Sequence, residues 1–189
     1  MGRIIITTNS SLDGIVQDPD GKEGSAHGGW FTESGGDDLG AWTALETEEA
    51  MGAAALLLGR RSDAWFAERW LSRTGEWPDR LNTMPKYVVS STLEKPRWSN
   101  ATVLAGDLEQ EIAELKRAID GEILVYASYQ LVRALLTHGL ADELRLVVFP
   151  TVLGAGERLC GEAAVPKPMR LIEARTVGAG LAYLRYALH

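Results

Sequence analysis

Three short polar stretches stand where apolar runs end, and their residue types could do chemistry on an anion. Gly59-Arg60-Arg61-Ser62 brings two guanidinium groups and a hydroxyl to the point where a strand feeds a helix, a natural place for an anion. Ser90-Ser91-Thr92 adds hydroxyls after the next strand, and Ala127-Ser128-Tyr129 opens a further helix. Together they suit a phosphorylated ligand such as a nucleotide. Arg60 and Arg61 read equally well as a solvated or salt-bridged surface pair, and serines are ordinary at strand ends. Asp13-Gly14 is a turn signal whose carboxylate, at the end of the first strand, would face the same ligand edge. Gly154-Ala155-Gly156 lacks the third glycine and the helix of a dinucleotide fingerprint. His27, His138 and His189 have no metal-ligand spacing to one another or to Cys160, so no metal site is expected. Glu46, Glu48 and Glu49 read most simply as a solvated helix face, with one of them as an acid in a pocket as the other reading.

The elements that must position these residues are visible in the periodicity. Ile123 to Tyr126 is a continuous apolar run suited to a strand covered on both faces. Ser128 can cap a helix carrying Leu131, Val132, Leu135 and Leu136 and ending at Gly139, and Leu144 to Phe149 is the next buried strand. Arg3 to Asn9 reads as a first strand. Asp13 to Gly40 holds eight of the 20 glycines, yet its Trp30 and Phe31 argue against simple disorder. Leu39, Trp42 and Leu45 start a helix that runs to Met51, followed by a strand over Ala53 to Leu58. Ser62 caps a helix with Trp65, Phe66, Arg69 and Trp70 on one side, and Arg73 to Thr83 reads as turns. Strands are expected at Lys86 to Ser90 and at Val103-Leu104, and Asp107 with Gln110 makes a capping box for a helix to Ile119. Met169 to Thr176 and Leu181 to Leu188 alternate with the strand period around Gly178-Ala179-Gly180, an antiparallel hairpin. The sum is an α/β sheet of seven or eight strands, mostly parallel, in one domain spanning residues 1–189.

Composition narrows the function classes. A formal charge of −7 argues against a nucleic-acid surface. No apolar run approaches the ~20 residues that span a bilayer, and the start of the chain lacks a signal peptide's basic and apolar regions. The single cysteine excludes an intrachain disulfide, and a cytoplasmic home is expected.

The ordered set Ser11-Leu12-Asp13-Gly14, Leu57-Leu58-Gly59-Arg60-Arg61-Ser62, Lys86-Tyr87-Val88-Val89-Ser90, Asp142-Glu143-Leu144-Arg145-Leu146 with Pro150, and Val152-Leu153-Gly154-Ala155-Gly156 resembles the C-terminal reductase domain of the bifunctional riboflavin deaminase-reductase, in the dihydrofolate reductase superfamily. The resemblance runs the length of the chain and fits a stand-alone member. It implies a dihydrofolate reductase-like three-layer α/β/α fold with about eight strands and a C-terminal antiparallel hairpin, NADPH as cofactor, a small-molecule substrate, and a homodimer. It further implies that Gly59, Arg60, Arg61 and Ser62 receive the adenosine 2′-phosphate, that Ser90 and Ser91 lie beside the adenosine, and that Ala127, Ser128 and Tyr129 meet the pyrophosphate. Relatives carry glycines at this last place. The alanine methyl and the tyrosine bulk are therefore expected to weaken or rearrange cofactor binding. On this reading Asp13 makes a substrate-side contact, in a cleft with Trp42, Trp65 and Arg69. The competing expectations are a non-catalytic binding protein on the same fold and a pterin or folate reductase, which would need Glu46 or Glu49 turned inward.

Overall fold

The computed structural model describes residues 1–161 and 167–188; His189 lies outside the described residues. Eight strands form one mixed sheet in the order β4-β3-β2-β5-β1-β6-β8-β7. They are β1 (Arg3–Ser11), β2 (Ala53–Gly59), β3 (Lys86–Val89), β4 (Ala101–Leu104), β5 (Glu122–Tyr126), β6 (Glu143–Phe149), β7 (Met169–Val177) and β8 (Leu181–Leu188). The helices are α1 (Trp30–Gly35), α2 (Leu39–Gly52), α3 (Arg60–Trp70), α4 (Glu76–Thr83), α5 (Leu108–Ala118) and α6 (Tyr129–Thr137). Contacts group into two compact units, Met1–Ile6 with Glu46–Asp142, and Thr7–Leu45 with Glu143–His189.

In the first unit, β4, β3, β2 and β5 run parallel, with Leu57 level with both Tyr87 and Val125. Strands of this kind are covered on both faces and so need apolar side chains at every position. Leu56 to Leu58 and Ile123 to Val125 meet that demand and are wholly buried. Phe66, Leu81, Met84 and Trp98 pack against one face with Leu56 and Leu58. Asp107 caps α5 as expected, its Oδ1 accepting from the amides of Glu109 and Gln110 at 3.1 Å each.

Three expectations are corrected here. The stretch to Thr83 is not all turn, since α4 occupies Glu76–Thr83. Ser62 does not cap α3, which begins at Arg60 with Gly59 at its N-cap. Ser128 is the N-cap of α6, but its hydroxyl makes no capping bond.

In the second unit, β8 lies antiparallel between β6 and β7. Trp30 and Leu45 cover one face of this sheet, packed on Val147, Phe149, Leu181 and Tyr183. The glycine-rich segment is thus partly helical, with α1 and a turn of 3-10 helix at Gly36–Asp38 preceding α2. Asp38 ties down the β7–β8 turn by accepting from the amides of Ala179 and Gly180, both at 2.7 Å. Gly178 is required in that turn, because its φ is +62° and a Cβ would stand 2.1 Å from Asp38 Oδ1.

Candidate functional site

Parallel pairing puts the ends of β3, β2 and β5 side by side, so the three polar stretches meet along one edge of the first unit. Two of them are sewn together. The Gly59 amide donates to Ser128 Oγ at 3.0 Å, and the Ser128 amide donates to Ser62 Oγ at 3.0 Å. Arg61 Nη1 adds a longer bond to the Tyr129 hydroxyl, at 3.4 Å. The serines are buried, whereas Arg60 and Arg61 are exposed. The serines therefore hold the scaffold and the guanidinium groups are presented to solvent.

The chain turns from β5 into α6 through two successive left-handed residues, Ala127 with φ +47° and Ser128 with φ +54°. Glycine adopts this conformation freely, while each L-residue held there costs roughly 1–2 kcal/mol. The backbone path that glycines favour is thus kept without them. The Ala127 methyl is exposed, and Tyr129 leans toward Arg61 and Arg133, whose guanidinium lies 5.7 Å from its ring centroid. The first-turn amides of α6 and the two exposed arginines form a donor set that fits a phosphorylated ligand. Gly59 itself is not sterically demanded, since a Cβ there would meet Ser128 only at an ordinary 3.8 Å.

Ser90 is used locally. Its hydroxyl accepts from the Thr92 and Leu93 amides at 3.3 and 3.1 Å, shaping the turn after β3, and Ser91 is exposed beside it.

The substrate-side candidates fall in both units. Asp13 is committed to its own chain: it accepts from the Ser11 hydroxyl at 2.7 Å and from the amides of Leu153 and Gly154 at 3.1 and 2.8 Å. The Ser11 bond above all, then the amides, brings its pKa down to about 2, so it carries no proton near neutrality. Trp42 donates to Asn9 Oδ1 at 2.9 Å and stacks edgewise on Phe31. Arg69 lies 4.2 Å over the Trp65 ring and donates to the Trp65 carbonyl at 3.2 Å.

Two further features complete the description, the first of them in the acidic run whose simplest reading was a solvated helix face. Glu46 and Glu49, one helical turn apart on α2, are both buried. Burial, and then the neighbouring Glu49 charge, push the Glu46 carboxyl well above its ordinary range. In the second unit a cavity of about 320 Å³ is lined by Ile15, Gln17, Ser25, His27, Leu153 and Gly156. Its loop is shaped by buried Asp18, which accepts from the Glu23 and Ser25 amides at 2.9 Å each. Neither partner of Asp18 could have been named from local spacing.

Known proteins share this fold. A curated relative, the uncharacterized protein YyaP of Bacillus subtilis (strain 168), is 26% identical over 192 residues, covering 97% of this chain and 94% of its own length. A solved structure from Shewanella sp. PV-4, provisionally named a riboflavin biosynthesis protein, superposes with a TM-score of 0.73 at 22% identity, covering 99% of both chains. The Thermotoga maritima diaminohydroxyphosphoribosylaminopyrimidine deaminase/5-amino-6-(5-phosphoribosylamino)uracil reductase superposes with a TM-score of 0.66 at 14% identity, covering all of this chain and 57% of that one. At such identities the two structures establish the fold, a mostly parallel reductase-type sheet with a C-terminal antiparallel hairpin. The RibD C-terminal domain family matches residues 3–183, nearly the whole sequence, and the chain belongs to that family.

Proposed function

We propose that this chain is an NADPH-dependent reductase that passes hydride to the carbon of a C=N or C=O bond in a small substrate, after the manner of 5-amino-6-(5-phosphoribosylamino)uracil reductase in riboflavin biosynthesis. The observation that carries this reading is the pair of serine bonds joining the Gly59–Ser62 turn to the start of α6, with Arg60 and Arg61 exposed beside it. A 2′-phosphate needs fixed cations and donors, and arginine offers a planar fork for it. Ser62 and Ser128 would hold the two strand ends in register, and Ser90 and Ser91 would border the adenosine. The first turn of α6 from Ala127 to Tyr129 would receive the pyrophosphate. NADPH, when bound, supplies the hydride. Asp13 enters as the support of the Leu153–Gly154 turn, and Trp42, Trp65 and Arg69 as substrate-side residues. The left-handed path at Ala127 and Ser128 favours a retained cofactor site over a non-catalytic descendant. The reaction belongs in the cytoplasm on this reading; no described helix is long and apolar enough to cross a membrane.

A pterin or folate reductase is favoured by one observation, the inward-turned Glu46 and Glu49. Burial raises the Glu46 pKa, and a carboxyl so shifted is suited to supply the proton that such a reduction consumes. Loss of pterin turnover in Glu46→Gln or Glu49→Gln, with cofactor affinity unchanged, would support that substrate.

The deciding experiment is calorimetric titration with NADPH and NADH, repeated on Arg60→Ala and Arg61→Ala. A charge-assisted hydrogen bond is worth roughly 1.5–3 kcal/mol, so each variant should lose about 10- to 150-fold in NADPH affinity and little in NADH affinity. No heat and no thermal shift with either nucleotide would sink the reductase reading.

A further inference from the structure

The cavity of the second unit is built from segments that hold each other in place. The Val16 amide donates to the Glu157 carbonyl at 2.9 Å, and the Glu157 amide donates to Gln17 Oε1 at 3.0 Å. The Gln17 carbonyl in turn accepts from Nε1 of the buried Trp30 at 2.9 Å. Gly156 completes this floor. Its φ is +138°, and a Cβ there would stand 2.8 Å from Ile15 Cγ2, so the two segments approach as only glycine allows. On the other side the Asp18 carboxylate holds the Ser25 amide at 2.9 Å, and the Asp18 carbonyl accepts from the Gly29 amide at 3.0 Å. These bonds fix the loop that carries Ser25 and His27, so the walls are formed in advance of any occupant.

Its volume of about 320 Å³ sets the size of that occupant. An apolar cavity of about 150 Å³ accepts one benzene ring, so there is room here for about two rings. Ile15 and Leu153 supply apolar wall, and two side chains supply polarity. With its oxygen taken by Glu157, Gln17 keeps its NH2 group as a donor. Neither that group nor the His27 imidazole has a hydrogen-bond partner among the described residues. The lining contains no Asp, Glu, Lys or Arg among the described residues, and the charge just behind it is negative. Asp13 accepts from the Leu153 amide and Asp18 from the Ser25 amide, which sets a carboxylate behind each of two lining residues. Burial acts against Asp18, but the Glu23 and Ser25 amides outweigh it and hold its pKa below the ordinary value. Across these segments Asp13, Asp18, Asp20, Glu23 and Glu157 outnumber Lys22 and Arg158. Arg158 is exposed and donates to the Asp13 carbonyl at 3.2 Å.

We infer that this cavity binds an uncharged molecule of about two fused rings that presents a carbonyl oxygen or a ring nitrogen to Gln17. A phosphate or carboxylate on the ligand would bring like charge toward Asp13 and Asp18, with no Lys or Arg in the lining to receive it. An ammonium group would find no carboxylate in the lining, and Gln17 would meet it with a donor where it needs an acceptor. The inference concerns the second unit alone. It stands apart from the reductase reading, whose phosphate-binding residues Arg60 and Arg61 belong to the first.

Amide chemical-shift mapping by nuclear magnetic resonance tests it on the full chain, with quinazolin-4-one as the probe and no nucleotide present. A fragment of this size should bind in the millimolar range or tighter, so titration to ~10 mM should move the amides of Gln17, Ser25, His27, Leu153 and Gly156 saturably. The same rings carrying a carboxylate should bind roughly tenfold more weakly. Gln17→Glu keeps the oxygen that accepts from Glu157 and removes the NH2 donor, so it should weaken the neutral probe roughly five- to tenfold. Ala155→Trp, entering from an exposed position on the lining, should fill the cavity and abolish the shifts. Absence of saturable shifts in the wild type, a carboxylate probe that binds as tightly as the neutral one, or full affinity in Gln17→Glu would overturn the inference. Should either variant not fold, the comparison of the two probes on wild type decides by itself.

Discussion

Ala127 and Ser128 have the same backbone conformation and should respond oppositely to glycine. At Ala127 nothing is lost, because its methyl is exposed. Replacement by glycine removes roughly 1–2 kcal/mol of left-handed strain and adds roughly 0.5–1 kcal/mol of unfolded-state entropy. The net gain is about 0.5–1 kcal/mol, or about 1–4 °C in Tm for a chain of this size. At Ser128 the same relief is opposed by the loss of the hydroxyl that accepts from Gly59 at 3.0 Å. An amide left without its acceptor costs about 1–3 kcal/mol, so Ser128→Gly should be neutral to destabilising by about 2 kcal/mol. Thermal and urea denaturation of the two variants beside wild type would measure this. A fall in stability for Ala127→Gly, or a gain for Ser128→Gly as large as that for Ala127→Gly, would refute the reasoning.

The remaining expectations concern buried carboxyls. Burial raises the Glu143 pKa, but bonds from Arg185 and Arg145 outweigh it and bring it to about 2. The folded value lies below the unfolded one. This stabilisation is therefore full above about pH 5 and is lost as pH falls toward 2. Glu143→Gln removes the carboxylate charge paired with the buried Arg145 and should cost roughly 3–5 kcal/mol, with a flatter acid limb in its denaturation profile. Glu46 behaves in the opposite sense. Its raised pKa makes the folded state less stable as pH rises above the unfolded value, so Glu46→Gln should raise Tm more at pH 8 than at pH 5. Equal shifts at both pH values would show that the carboxyl does not hold its proton.

Much of the fold was legible because one rule governs each buried strand: continuous apolar runs where both faces are covered, alternation where one is. β5, β2 and the β7–β8 hairpin follow from it directly. Helix α4 escaped because its inward side offers only Trp77 and Leu81 in an otherwise polar stretch interrupted by Pro78, too few turns for a period to show. The site was legible in residue type but not in role. Ser62 and Ser128 have the composition of helix caps, yet each serves a partner 66 or more residues away, which spacing cannot reveal. Glu46 and Glu49 misled for a related reason. A short acidic run reads as solvated when nothing local says what will pack over it.

The place of β8 between β6 and β7 has a consequence for vectorial synthesis. Its residues, Leu181–Leu188, leave the ribosome after every other described strand, yet β6 and β7 reach one another only through it. Chains fold from the N-terminal side as they emerge. The parallel strands β2 to β5 can therefore assemble during translation, while β6 waits with one edge unpaired until the last strand arrives. That interval is when the nascent chain is most exposed to adventitious strand pairing.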